Sequence, residues 1–235
     1  MNGKFFMDDI AIIATNIKNV LRRIEKEAEK VGRDAKDIKL VTVTKTVDIN
    51  RIKEAIASGL RIFGENRVQE ALPKLKEIDK EVLWHFIGHL QTNKVKDVVG
   101  SFELIHAVDS LRLSEEIDKQ AKKRGIVQEI LIEVKLSEEE SKFGVAENGL
   151  LPLIERASEF ENIKILGLMT IPPFFDDAEK TRPYFKRLRE IRDEAEKRGF
   201  RLPELSMGMS HDFEIAIEEG ATIVRIGTAI FGERK

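Results

Sequence analysis

The chain contains no cysteine. That absence excludes disulfide staples, thiolate metal centres and cysteine nucleophiles together, and it leaves the redox compartment undetermined. Nor is there an excess of charge of one sign: Lys plus Arg total 40 against 42 for Asp plus Glu, so no net electrostatic attraction to nucleic acid or membrane is expected. No apolar run approaches the ~20 residues of a membrane span, and the first residues, Met1 to Asp9, lack the unbroken apolar stretch of a secretion signal. A cytoplasmic protein is expected. A single Trp and a single Tyr, with abundant Glu, Lys, Arg and Ile, suit a heat-adapted source. There is no Gly-x-Gly-x-x-Gly turn to mark a dinucleotide crevice, and no Pro/Gly/Ser linker divides the chain.

What is present is a rhythm. Across 235 residues, 42% apolar, short β-branched runs alternate with polar segments of helical period. A long amphipathic helix comes first, from Asp8 to Val31, with Ile10, Ile13, Ile17, Val20, Leu21, Ile24, Ala28 and Val31 on its apolar face. Strands are then expected at 40–44, 61–64, 84–87, 104–108, 129–134, 163–170, 204–207 and 222–226. Helices fall between them, at 50–58, 68–78, 93–99, 111–124, 150–160, 178–198 and 213–218. Gly59, Gly100, Gly125, Gly199 and Gly220 stand where helices end before the next strand. Eight such units favour a single-domain TIM (β/α)8 barrel over residues 1–235, with an added N-terminal helix. The segment 171–177 is the longest strand-to-helix loop and a lid candidate.

Two strand ends carry cations. Lys45 closes an apolar row with Val41 and Val43, and Arg225 shares a side with Ile223 and Gly227. Barrel closure makes the first and eighth strands neighbours, so a primary amine and a guanidinium are expected near one another. Partial burial and a fixed cation both lower an amine's pKa, and a neutral amine is what Schiff-base chemistry requires. A charged Arg225 among apolar neighbours needs an acceptor. Gly227-Thr228 and Ser206 to His211 supply small residues and hydroxyls at the ends of strands eight and seven, where barrels hold phosphate. Ser210 is placed either to cap the helix that follows or to reach the same anion. Asn66 ends strand two, as an ordinary helix cap or as a contact to a ring substituent. His89 follows strand three, and His85, His106 and His211 show no metal-ligand spacing with it, so no metal is assigned. An amine beside a guanidinium and a glycine turn is the pattern of an aldehyde-and-phosphate site, which pyridoxal phosphate fits.

Six motifs in series extend this: 43–46 (VTKT), 63–70 (FGENRVQE), 84–94 (WHFIGHLQTNK), 167–173 (GLMTIPP), 205–210 (LSMGMS) and 224–232 (VRIGTAIFG). In this order they resemble the pyridoxal phosphate homeostasis protein family across nearly the whole chain. The resemblance implies a barrel like the amino-terminal domain of alanine racemase, with Lys45 as the Schiff-base lysine and Arg225 facing the pyridine nitrogen. It also implies that Ser210, Gly227 and Thr228 hold the phosphate while Asn66 and the Met207 region line the ring. Lys142 falls where a racemase has a basic residue near its substrate. Val47-Asp48 departs from the lysine and proline of many relatives, which alters the first loop's rigidity more than the chemistry.

Arginine beside the pyridine nitrogen keeps that nitrogen unprotonated and the ring a weaker electron sink. The expectation is a protein, without robust catalytic activity, that binds pyridoxal phosphate and acts in vitamin B6 and amino-acid homeostasis. It is expected as a monomer that passes the cofactor to apoenzymes. The alternative is a weak amino-acid racemase. A racemase needs a second acid/base on the opposite face, and seven residues after Thr228 leave little room for the domain that supplies it. A Schiff-base aldolase acting on a sugar phosphate is a further enzyme class, and it leaves Arg225 without a role.

Overall fold

The structure is a computed structural model and describes residues 2–78, 81–137, 139 and 143–233, with side chains from residue 12 onward. Eight strands form the barrel: β1 (Lys39–Val43), β2 (Ile62–Glu65), β3 (Leu83–Phe86), β4 (Leu104–Val108), β5 (Gln128–Lys135), β6 (Ile163–Met169), β7 (Glu204–Ser206) and β8 (Ile223–Ile226). Every pairing is parallel. β1 bonds to both β2 and β8, and β4 bonds to β5, which closes the sheet. A two-residue strand, Val145–Ala146, adds to the end of β5 and was not expected from sequence.

Helices α2 (Ile49–Ala57), α3 (Val68–Glu77), α4 (Val95–Val98), α5 (Leu111–Arg124), α6 (Glu147–Ala157), α7 (Arg182–Lys197) and α8 (Phe213–Glu218) form the crossovers, and α9 (Thr228–Phe231) follows β8. Gly125 ends α5 in the left-handed conformation at φ 65°, as its position after Arg124 predicts. Helix boundaries differ from expectation at α4, where 92–94 is a separate 3-10 turn before Val95, at α6 and at α7. α6 runs from Glu147 to Ala157, three residues earlier at both ends, with Pro152 inside it. The segment at 178–181 is a separate 3-10 turn that ends where α7 begins, with Pro183 in the first turn of α7.

The core has two layers. Val41, Leu104, Ala107, Leu131, Met169 and Ile223, all from strands, fill the barrel interior, while a larger cluster joins the outer strand faces to the helices. At Gly167 the strands approach so closely that a Cβ would lie 1.9 Å from the Glu204 carbonyl oxygen. The leading helix, α1 (Asn2–Lys30), buries Ile13, Ile17, Val20, Ile24 and Ala28 along one face. At ~1.5–3 kcal/mol per fully buried aliphatic side chain, this stripe fixes α1 against α2, α8 and α9. Leu21 and Val31 flank the stripe and are exposed, unlike the sequence expectation; the side chain of Ile10 is outside the described residues. Asn16 Nδ2 donates to the Ile230 carbonyl at 3.0 Å, tying α1 to the last helix. No helix among the described residues is long and apolar enough to cross a membrane.

Candidate functional site

Strand register sets the site's depth. Val41 pairs with Arg225, and Lys45 follows two residues beyond the end of β1. The guanidinium is therefore in the barrel interior and the amine at its C-terminal rim. Lys45 is half-buried and shares a cleft of about 420 Å³ with Val43, Thr46, Arg51, Gly227 and Thr228. A Cβ at Gly227 would sit 3.3 Å from Val43 Cβ, so a larger residue would crowd β1.

The backbone around Lys45 is clamped. Lys74 Nζ donates to the Thr44 carbonyl at 2.7 Å, to Glu65 at 2.8 Å and to Glu70 at 2.7 Å. Thr44 Oγ1 donates to Glu65 at 2.7 Å, and Thr46 N–H donates to Glu70. Thr46 has φ 62°, a left-handed conformation uncommon for a β-branched residue, and its bond to Glu70 helps to hold it there. Burial pushes the Glu65 carboxyl upward against the hydrogen bonds from Lys74 and Thr44. At Glu70 burial acts in the same direction, but the bonds from Lys74 and Thr46 outweigh it and lower the carboxyl's pKa.

Arg225 is buried and makes two side-chain bonds, Nη1 to Ser206 Oγ at 2.6 Å and Nη2 to the Thr170 carbonyl at 3.0 Å. Burial lowers its pKa to about 10, opposed by the Asp212 and Glu133 carboxylates. Ser206 Oγ is 2.9 Å from His106 Nδ1, and His106 Nε2 is 3.0 Å from His85 Nδ1. Burial holds both imidazoles neutral: His85 is pushed down to about 3, and His106 lies well below its ordinary value, lowered further by His85 and Arg225. Glu133 is pushed up to about 7 by burial and by Asp109, against Arg225.

The loops after β7 and β8 meet through Ser210, whose Oγ accepts from Gly227 N–H at 3.3 Å and Ala229 N–H at 3.2 Å. Ser210 thus joins the start of α9 and does not cap α8, whose N-cap residue is Asp212; the Asp212 carboxylate instead accepts from Met209 N–H at 2.7 Å. Asn66 is not a helix cap either, because Arg67 holds that position in α3. Its Oδ1 is buried without a partner, and its backbone presses on Gly88, where a Cβ would lie 2.3 Å from the Asn66 carbonyl oxygen. Met207 differs from expectation: Ser206 faces the interior, so by alternation the Met207 side chain is fully buried in the outer core between strands and helices. His89 stacks on Phe143 with ring centroids 3.7 Å apart. In the 171–177 loop the Phe175 carbonyl is 3.1 Å from His211 Nε2, and Phe174 is 76% exposed. Lys142 lies outside the described residues.

The alanine racemase N-terminal domain family matches residues 16–235. A pyridoxal phosphate homeostasis protein of Aquifex aeolicus is 54% identical over 223 residues, 93% of this chain and 97% of the relative. One from Pseudomonas aeruginosa is 40% identical over 226 residues, 96% and 97% of the two chains. The chain belongs to the pyridoxal phosphate homeostasis protein family. A solved structure of PipY from Synechococcus elongatus with PLP bound superposes with a TM-score of 0.80 at 35% identity, covering 91% of this chain and all of that one.

The fold brings Lys45, Gly227 and Thr228 to one cleft, with Ser210 bonded to Gly227 beside it, while Arg225 and Asn66 are not among the residues that line it. The sequence reading did not assign Ser206, His85, His106, Glu133 or the Lys74 clamp. A signal was available for three of them. His85 and His106 interrupt apolar strands, and Ser206 ends one, at positions that barrel alternation turns inward. Which inward residues touch across the barrel is not encoded in spacing.

Proposed function

We propose that the chain binds pyridoxal phosphate through a Schiff base to Lys45 and acts in vitamin B6 and amino-acid homeostasis. The observation that carries this reading is the shared cleft: one strand-end lysine opens onto the same space as Gly227 and Thr228. The space suits the ligand, since about 420 Å³ lies within the ordinary range for small-ligand pockets. The donor set suits it as well. Backbone N–H groups and hydroxyls at Ser210, Gly227 and Thr228 would hold the phosphate, Arg225 would offer donors to a ring nitrogen, and the unpartnered Asn66 Oδ1 would accept from a ring substituent.

When bound, the cofactor supplies an electrophilic aldehyde. Lys45 provides the amine, the Lys74 clamp fixes the backbone from which it extends, and Arg225, which only donates, favours an unprotonated ring nitrogen. That choice weakens the ring as an electron sink and favours holding the cofactor over turning over a substrate. The test is reconstitution followed by borohydride reduction and peptide mapping. The label is expected on Lys45, and colourless wild-type protein, or label elsewhere in Lys45→Ala, removes the reading.

A further inference from the structure

We infer that His106 is a positioning residue for Arg225: with Ser206 and His85 it forms a one-way chain of neutral acceptors that fixes the guanidinium beneath the cleft. The inference deepens the proposed function, since a fixed guanidinium is what a ring nitrogen meets.

The direction of the chain follows from counting hydrogens. Arg225 can only donate, so Ser206 Oγ is the acceptor of the 2.6 Å bond. Ser206 is fully buried, and its own hydrogen needs an acceptor; among the described residues that is His106 Nδ1 at 2.9 Å. His106 therefore carries its proton on Nε2 and donates to His85 Nδ1 at 3.0 Å, which leaves His85 protonated on Nε2. Reversing the chain would strand the Ser206 hydroxyl hydrogen without an acceptor in the barrel interior, a position where polar groups are normally paired. The four residues come from β3, β4, β7 and β8, so the chain crosses the barrel.

A filling role does not explain these residues. Barrel interiors are usually packed with Val, Ile and Leu, and an imidazole pair in such a place is costly unless its bonds are needed. Without Ser206, Arg225 keeps one side-chain anchor, the Thr170 carbonyl, about which a guanidinium can swing. Two anchors, one in β7 and one just past the end of β6, define its plane. The Glu133 and Asp212 carboxylates also act on Arg225 and oppose its loss of charge, but neither accepts a hydrogen bond from it.

The experiment compares wild type, His106→Phe, Ser206→Ala and His106→Gln. Nitrogen NMR on cofactor-free protein reads the two imidazole tautomers and the hindered rotation of the Arg225 guanidinium, and a titration reads pyridoxal phosphate affinity. Expected are Nε2-protonated neutral rings, loss of the hindered Arg225 signals in His106→Phe and Ser206→Ala, and affinity weakened about tenfold or more in both. His106→Gln, whose amide oxygen and N–H reproduce acceptor and donor, is expected to restore both readouts. Unchanged Arg225 signals and affinity in the two disrupting variants, or a proton on His106 Nδ1, overturn the inference. Should His106→Phe not fold, Ser206→Ala carries the same comparison. The NMR arm uses no cofactor, so wild-type protein that failed to bind pyridoxal phosphate would remove the proposed function while the Arg225 signals still decided this one.

Discussion

Arg225 is in register with Val41, four residues before Lys45 on the neighbouring strand, so the two cations are stacked in depth along the barrel axis. The guanidinium answers to the interior and the amine to the rim.

Arg225→Lys is not a conservative change here. A lysine has one nitrogen and cannot reproduce the planar fork that spans Ser206 in β7 and the Thr170 carbonyl just past the end of β6. The variant is expected to lose about 1–3 kcal/mol of stability through buried groups left unpaired. Urea unfolding reads the stability loss, and a cofactor titration is expected to show weaker binding in parallel.

Lys74→Met should be more damaging than its distance from the cleft suggests. It leaves fully buried Glu65 without its cation and releases the Thr44 carbonyl. Breaking one partner out of a buried ion pair costs about 3–5 kcal/mol. Equilibrium unfolding is expected to show a loss of that order, and adding Glu65→Leu to Lys74→Met should recover part of it.

Ser210→Ala removes the oxygen shared by the Gly227 and Ala229 N–H groups. A small stability loss of about 1 kcal/mol is expected, as for other lost caps. The sharper effect is on ligand preference. Calorimetry with pyridoxal phosphate and with pyridoxal should show the gap between the two affinities narrowing in the variant, because only the phosphorylated ligand uses this corner.

Glu133 gives the protein a dependence on pH with a defined sign. Its carboxyl is pushed up to about 7 from 4.5, so between those values the native state holds a proton that the unfolded state has released. Stability from this residue therefore falls as pH rises through that window, by at most about 3 kcal/mol for a shift of this size. His85, pushed down to about 3, works in the opposite sense, because acid below about 6.5 favours the unfolded chain. His106, also held well below its ordinary value, adds to the His85 effect, so the Glu133 contribution is read as a difference between wild type and Glu133→Gln. Chemical denaturation of both proteins should show the wild-type stability minus that of Glu133→Gln falling as pH rises from about 4.5 to about 7 and levelling off above it.

Much of this was legible before any coordinates. All eight barrel strands fall within a residue or two of the β-branched runs, because a strand buried on both faces must be apolar throughout and must end at a turn. Lys45 and Arg225 stood out for the same reason, as cations in rows that are otherwise apolar. Ser210 was visible but its partner was not: local chemistry allowed a cap on α8, and the fold gave it to Gly227 and Ala229, which are close in space but on another turn. Met207 shows the converse, where a motif suggested the cleft and strand alternation turned the side chain outward.

The sequence by itself determined the repeating strand-helix period, and with it the closed barrel and the rim on which Lys45, Gly227 and Thr228 meet, because hydrophobic period and turn residues act over a few neighbours. Only the tertiary structure decided the depth between Lys45 and Arg225, the clamp of Lys74 on Thr44 and the line from Arg225 through Ser206 and His106 to His85. Those depend on strand register and on contacts across the barrel between residues as far as 100 positions apart. Neither quantity leaves a trace in local spacing.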